Sequence, residues 1–153
     1  DNAITWLDWG GAGDDALARL FARLAALRQS LPLLRQTRFL HGRNVDTFAR
    51  PDVSWWLPCG RAPDAQDWQN PAMQAFGLLL CDIHDPEATA LLIYFNAGND
   101  LPLTLPTAEP WDLVLDTSDP APDGKMSGAI LPRQSVLLFR SAPETGPANG
   151  DTA

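Results

Sequence analysis

The feature that most constrains this chain is a change of hydrophobic period near Arg35. Before it, Leu17, Leu20, Phe21, Leu24, Leu27 and Leu31 recur in steps of three and four, which lines one face of a helix. Asp14 and Asp15 precede the stripe, one as N-cap and both favourable to the helix dipole. Arg19, Arg23 and Arg28 lie away from the stripe, and Pro32 stops the helix. One amphipathic helix of about 15 residues is the expectation.

From Gln36 onward the helical period is gone. Apolar or alternating runs appear at Arg38–Leu40, Val53–Leu57, Ala75–Asp82, Ala90–Asn96, Leu101–Leu105, Trp111–Asp116 and Ser135–Arg140, separated by Pro, Gly, Asp and Asn. The continuous runs Leu91–Phe95 and Val136–Phe139 predict central strands buried on both faces. Pro102 cannot donate to a ladder, so its run belongs at an edge. The pattern predicts a mainly β unit, an antiparallel β-sandwich or barrel of about seven to eight strands, preceded by the single helix. No internal repeat is visible. Three regions follow: 1–35 with the helix, 36–141 with the strands, and 142–153, which has no large apolar side chain and is expected to be a disordered tail.

Bulk composition bounds the partners. At 153 residues the chain has room for one domain and an appendage. Its net charge of −8 repels polyanions, so nucleic acid is not an expected partner, whereas a neutral ligand meets no such repulsion. No apolar run approaches the ~20 residues of a membrane span. The chain starts at Asp1 without a visible signal peptide and reads as an excised piece. Two cysteines, Cys59 and Cys81, are too few for a disulfide framework. One bridge between them would contribute about 3 kcal/mol, but reduced thiols and a cytoplasmic location are the expectation.

No motif supplies a complete catalytic or metal site. Gly10-Gly11-Ala12-Gly13 lacks a phosphate-binding spacing, and Asp14 and Asp15 occupy the place a phosphate would take. Asp82, His84, Asp85 and Glu87 carry metal-ligand chemistry, yet they read as a polar hairpin connection closed by Pro86. No metal and no cofactor are expected. No serine or cysteine sits in an elbow or beside a recognisable base. Asp112, Asp116 and Asp119 are carboxylates by count, and the first two share strand parity, but turn chemistry explains such residues near a strand end. Six tryptophans stand out, because sugars stack their C–H faces on aromatic rings. Core use is the expectation for Trp55, Trp56 and Trp111, which fall in predicted strands. Trp68 adjoins Asp67 and Gln69. Trp6 and Trp9 bracket Asp8 in an irregular segment where core and ligand readings balance.

Asp1-Asn2-Ala3-Ile4-Thr5-Trp6-Leu7-Asp8-Trp9 resembles the segment after the last barrel strand in bacterial glycogen debranching enzymes, isoamylase relatives in the α-amylase superfamily of glycoside hydrolases. The likeness continues through Leu27–Pro32, Val53–Gly60, Asp67–Pro71, Phe95–Ala97, Leu103–Pro106 and Trp111–Thr117, and covers nearly all of the chain except the tail. The resemblance implies an α-1,6-glucosidase with a catalytic (β/α)8 barrel followed by a β-sandwich, acting with retention on glycogen or limit dextrin. It implies that this chain is the carboxy-terminal end: residues 1–35 a barrel remnant holding the last helix, residues 36–141 the sandwich. The catalytic carboxylates would then lie upstream of Asp1, as barrel sites draw on loops after several strands. The fragment would be inactive alone and would contact the missing barrel. Trp6, Asp8 and Trp9 would be the substrate contacts, at the barrel rim. Two other readings stay open: a non-catalytic α-glucan-binding module, and isoamylase proper.

Overall fold

The helix forms where the period predicts it. In the computed structural model, which describes residues 15–43, 51–82, 89–106, 110–119 and 130–141, α1 spans Asp15–Ser30. It closes through Leu31 N–H to the Leu27 carbonyl (2.9 Å), with Ser30 Oγ and the Arg35 guanidinium donating to the Leu27 and Gln29 carbonyls. A 3-10 turn, Pro32–Arg35, follows, because Pro32 has no N–H to continue the ladder. No residue of α1 is buried, and Leu17 and Phe21 of the apolar stripe are 61% and 73% exposed. Asp15 is the first helical residue; Asp14 lies outside the described residues.

The chain divides into two units, Asp1–Arg35 and Gln36–Ala153. The second is an antiparallel β-sandwich. Among its described residues are β1 (Val53–Trp56), a short helix α2 (Ala65–Gln69), β2 (Ala75–Leu80), β3 (Leu91–Asn96), β4 (Leu101–Pro102), β5 (Trp111–Asp116), β6 (Ile130–Leu131) and β7 (Ser135–Ser141). One sheet has the order β1-β2-β3-β7-β5, and β4 pairs with β6 in a second. β3 and β7 are flanked on both sides, as their unbroken apolar runs require. Pro102 sits in the two-stranded sheet, consistent with an edge position.

The core lies on the inner face of the large sheet. Ala75, Leu79, Leu92, Tyr94, Leu113, Leu137 and Phe139 meet Leu103 and Leu131 of the other layer. Burial of each large side chain contributes about 1.5–3 kcal/mol. Gly77 lies opposite Tyr94 on β3, and a Cβ there would come within 2.5 Å of the Tyr94 ring. The glycine makes room for the tyrosine. Buried Asn96 closes the end of β3: its Nδ2 donates to the carbonyls of Asn99 and Pro132 at 2.8 Å each, and its Oδ1 accepts from Gly98 N–H.

Several sequence expectations change. Arg38–Leu40 is not a strand; this stretch is irregular, Phe39 is 91% exposed, and His41 and Gly42 donate their N–H groups to the Asp52 carboxylate instead of a ladder. The run at 101–105 pairs only over two residues, because Thr104 N–H turns to the Pro58 carbonyl. β6 and α2 have too few residues for a periodic signal. Asp112 and Asp116 do not share a face, because β5 carries a bulge between Leu113 and Leu115. Asp112 registers with Arg140 and Asp116 with Leu137, neighbours of opposite parity on β7.

Candidate functional site

An aromatic surface on the outer face of the large sheet is the most developed feature among the described residues. Its first component is α2. Asp64 is the N-cap, accepting from Gln66 and Asp67 N–H (2.8 and 2.9 Å), while Asp67 reaches back to Asp64 N–H (2.8 Å). This reciprocal box satisfies the orphan donors of a helix too short to stand on propensity alone. Arg61 clamps Asp67 with two bonds of 2.6 and 2.8 Å. That guanidinium, helped by the Asp64 N–H, pulls the Asp67 carboxyl down to about 2. Asn70 closes the other end, its N–H bonded to the Asp67 carbonyl and its side chain accepting from Ala72 N–H. Yet α2 buries none of its residues. The loop before it is set by Gly60, whose φ of +82° suits glycine.

What α2 presents is Trp68, 47% exposed, edge-to-face against Trp55 of β1, which is 43% exposed; the ring centroids are 5.7 Å apart and the planes perpendicular. Trp55 continues to Phe76 at 5.7 Å, and Phe76 to Phe95 at 5.4 Å. Strand alternation explains the layout. Phe76 and Phe95 are direct cross-strand partners, and Trp55 is diagonal to Phe76. The outward positions of β1, β2 and β3 are all apolar and carry no charge. Trp55 therefore departs from the core expectation, whereas Trp56 and Trp111 pack against the core. Two adjacent tryptophans in one strand must face opposite sides.

A second concavity, about 420 Å³, is lined by residues that include Arg38, His41, Asp52, Cys81 and Asp82. Its buried carboxylate is committed to structure. Burial opposes ionisation of Asp52, but N–H groups of His41, Gly42 and Val53 outweigh it and hold the pKa below the usual range. Asp82 faces Arg38 at 3.8 Å. Cys59 and Cys81 are not joined in a disulfide. Among the described residues no group of three or more His, Cys, Asp or Glu could hold a metal ion, and no helix is long and apolar enough to cross a membrane.

Of the residues singled out in the sequence, Trp6, Asp8, Trp9, Gly10 to Gly13, His84, Asp85 and Glu87 lie outside the described residues. Asp112 forms a surface ion pair with Arg140 at 3.5 Å, and Asp116 accepts from Ser118 N–H and Oγ in a local turn. The structure does not bring these two carboxylates together as an acid–base pair. The Trp55–Trp68 corner was legible only in part: Asp64-x-x-Asp67 is a capping signature, but nothing local announces that Trp68 meets Trp55.

No protein-family model matches the chain. A glycogen debranching enzyme of Serratia proteamaculans is 34% identical over 115 residues, 74% of this chain. Proteins of the same name from Yersinia pseudotuberculosis and Yersinia pestis are 31% identical over 101 residues, 57% of this chain. This chain is homologous to glycogen debranching enzymes. It spans 15% of the length of the Serratia homologue and 14% of the Yersinia ones. The debranching-enzyme homology thus concerns a small part of each relative.

Proposed function

We propose that this chain is the carboxy-terminal part of a cytoplasmic glycogen debranching enzyme, a glycoside hydrolase that cleaves α-1,6-glucosidic branch linkages of glycogen or limit dextrin. In this reading the chain supports a catalytic barrel that precedes it, and the reacting carboxylates belong to that barrel. The observation that carries the proposal is the 34% identity over 115 residues, a match that covers only 15% of the relative. The fate of the carboxylates supports the non-catalytic half: Asp52, Asp67, Asp112 and Asp116 are each engaged in a backbone clasp, a cap or an ion pair. A retaining glycosidase needs two carboxyl groups about 5–5.5 Å apart across the scissile bond. The exposed apolar stripe of α1 supports a contact with the barrel, since Leu17 and Phe21 are large apolar side chains open to water in this chain.

The remaining link to chemistry is the segment Trp6, Asp8 and Trp9, as rim contacts to the glucan. Two measurements test the proposal. The 153-residue chain should release no reducing sugar from limit dextrin, and the longer parent enzyme should; hydrolysis by the isolated chain would overturn the supporting role. In the parent, Trp9→Ala should weaken limit-dextrin turnover, and unchanged kinetics in a folded variant would remove Trp9 from the substrate path.

A further inference from the structure

We propose that Trp55 and Trp68 form a stacking corner for a stretch of α-linked glucan, a non-catalytic binding site on the sandwich. The choice of glucan rests on the proposed function; the site itself rests on geometry. Two indole rings stand perpendicular with centroids 5.7 Å apart, and each is nearly half open to solvent. Pyranose rings offer flat C–H faces that stack on such surfaces while their hydroxyls reach polar neighbours. In an α-1,4-linked chain the axial bond at C1 turns each sugar relative to the last, so the chain coils. Successive sugar faces are inclined to one another, and an angled pair of platforms follows them. A β-1,4-linked chain is a flat ribbon and fits coplanar platforms instead.

The local structure is preorganised for this use. No residue of α2 is fully buried, so its capping box and the bidentate Arg61–Asp67 clamp hold a surface element rather than a core one. They hold Trp68 against Trp55 before any ligand arrives, which lowers the ordering cost of binding. Exposed Gln66, Gln69 and Asn70 flank Trp68 and supply neutral donors and acceptors. The outward positions of β1, β2 and β3 are uncharged although the chain carries −8, so a neutral ligand lying along them desolvates no charge there. The face also changes character along its length. Leu80, Leu91 and Leu138 at one end are aliphatic and buried, whereas the open end is aromatic. An aromatic end suits sugar stacking better than continued aliphatic packing.

The test is titration of the 153-residue chain with maltoheptaose and with cellohexaose, followed by tryptophan fluorescence and calorimetry. Saturable maltoheptaose binding with a Kd of about 1 mM or tighter is expected, together with markedly weaker cellohexaose binding. Trp68→Ala and Trp55→Ala should each weaken it about tenfold, with Trp68→Phe retaining part of it. Trp68 is half exposed on a short surface helix, so Trp68→Ala should still fold cooperatively, its unfolding midpoint lowered by no more than the loss of one aromatic pair, and Trp111→Phe serves as a control away from the corner. Absence of saturable binding, equal affinity for both sugars, or full affinity in Trp68→Ala would overturn the site. So would an oligomer dispersed by Trp55→Ala and Trp68→Ala with no sugar binding, which would make the face a protein contact. If the longer enzyme debranches limit dextrin while the chain ignores maltoheptaose, the corner fails and the proposed function stands. If the chain binds maltoheptaose and the longer enzyme does not debranch, the proposed function fails and the corner stands.

Discussion

Gly77→Ala isolates one packing event in the centre of the sandwich. In most strands alanine is favoured over glycine by about 0.4–1 kcal/mol, through the smaller entropy of its unfolded chain. At Gly77 the sign should reverse. The backbone is not in the left-handed region, since among the described glycines only Gly42 and Gly60 have positive φ, so any penalty comes from space. The new Cβ would stand 2.5 Å from Tyr94 Cε1 and 2.9 Å from Cδ1 and Cζ. Tyr94 has no solvent exposure and cannot swing outward. Overpacking of this kind costs about 1–3 kcal/mol, which at the middle of both ranges leaves a net loss of about 1.3 kcal/mol after the entropic gain. For a unit near 100 residues that lowers Tm by roughly 5–10 °C. Urea unfolding followed by tryptophan fluorescence reads the loss, and a double-mutant cycle identifies its cause. In a Tyr94→Leu background the clash is gone, so Gly77→Ala should become neutral or stabilising. A wild-type midpoint in Gly77→Ala, or the same penalty in both backgrounds, would refute the reasoning.

Three further outcomes follow from the same geometry. Tyr94 Oη is buried and makes no hydrogen bond among the described residues, and burial pushes its pKa up; Tyr94→Phe should therefore raise stability by about 1 kcal/mol, and a loss of that size in chemical denaturation would mean that the hydroxyl has a partner. Asp67 has a folded pKa of about 2 against an ordinary 3.8, so its contribution is present above 3.8 and disappears as pH falls through about 2. Trp68 fluorescence should report release of α2 over that window, and an identical acid transition in Asp67→Asn would show that another group governs it. In the isolated chain α1, with no buried residue, should exchange its amides faster than β3; equal protection in a monomer would contradict the marginal stability of so short a helix.

The sequence alone determined α1, the positions of the main strands and the edge character of Pro102, because period and proline chemistry act within a few residues. It also carried the resemblance that the debranching-enzyme homologues support. It did not determine the short elements: β6 has two residues and α2 five, below the length at which a period can be counted. Strand alternation requires Trp55 and Trp56 to face opposite ways, but it leaves open which of them faces the core. Pairing with β2, and the second sheet on one side, decided that Trp55 points outward. Likewise the parity of Asp112 and Asp116 holds only for a regular strand, and the bulge in β5 cancelled it. The corner of Trp55 and Trp68 belongs to the same class. Its residues are thirteen positions apart, and only the turn at Gly60, the clamp of Arg61 on Asp67 and the register of β1 on β2 bring the rings together. Local chemistry is written in neighbouring residues, whereas the facing of a side chain depends on what the fold places on either side of it.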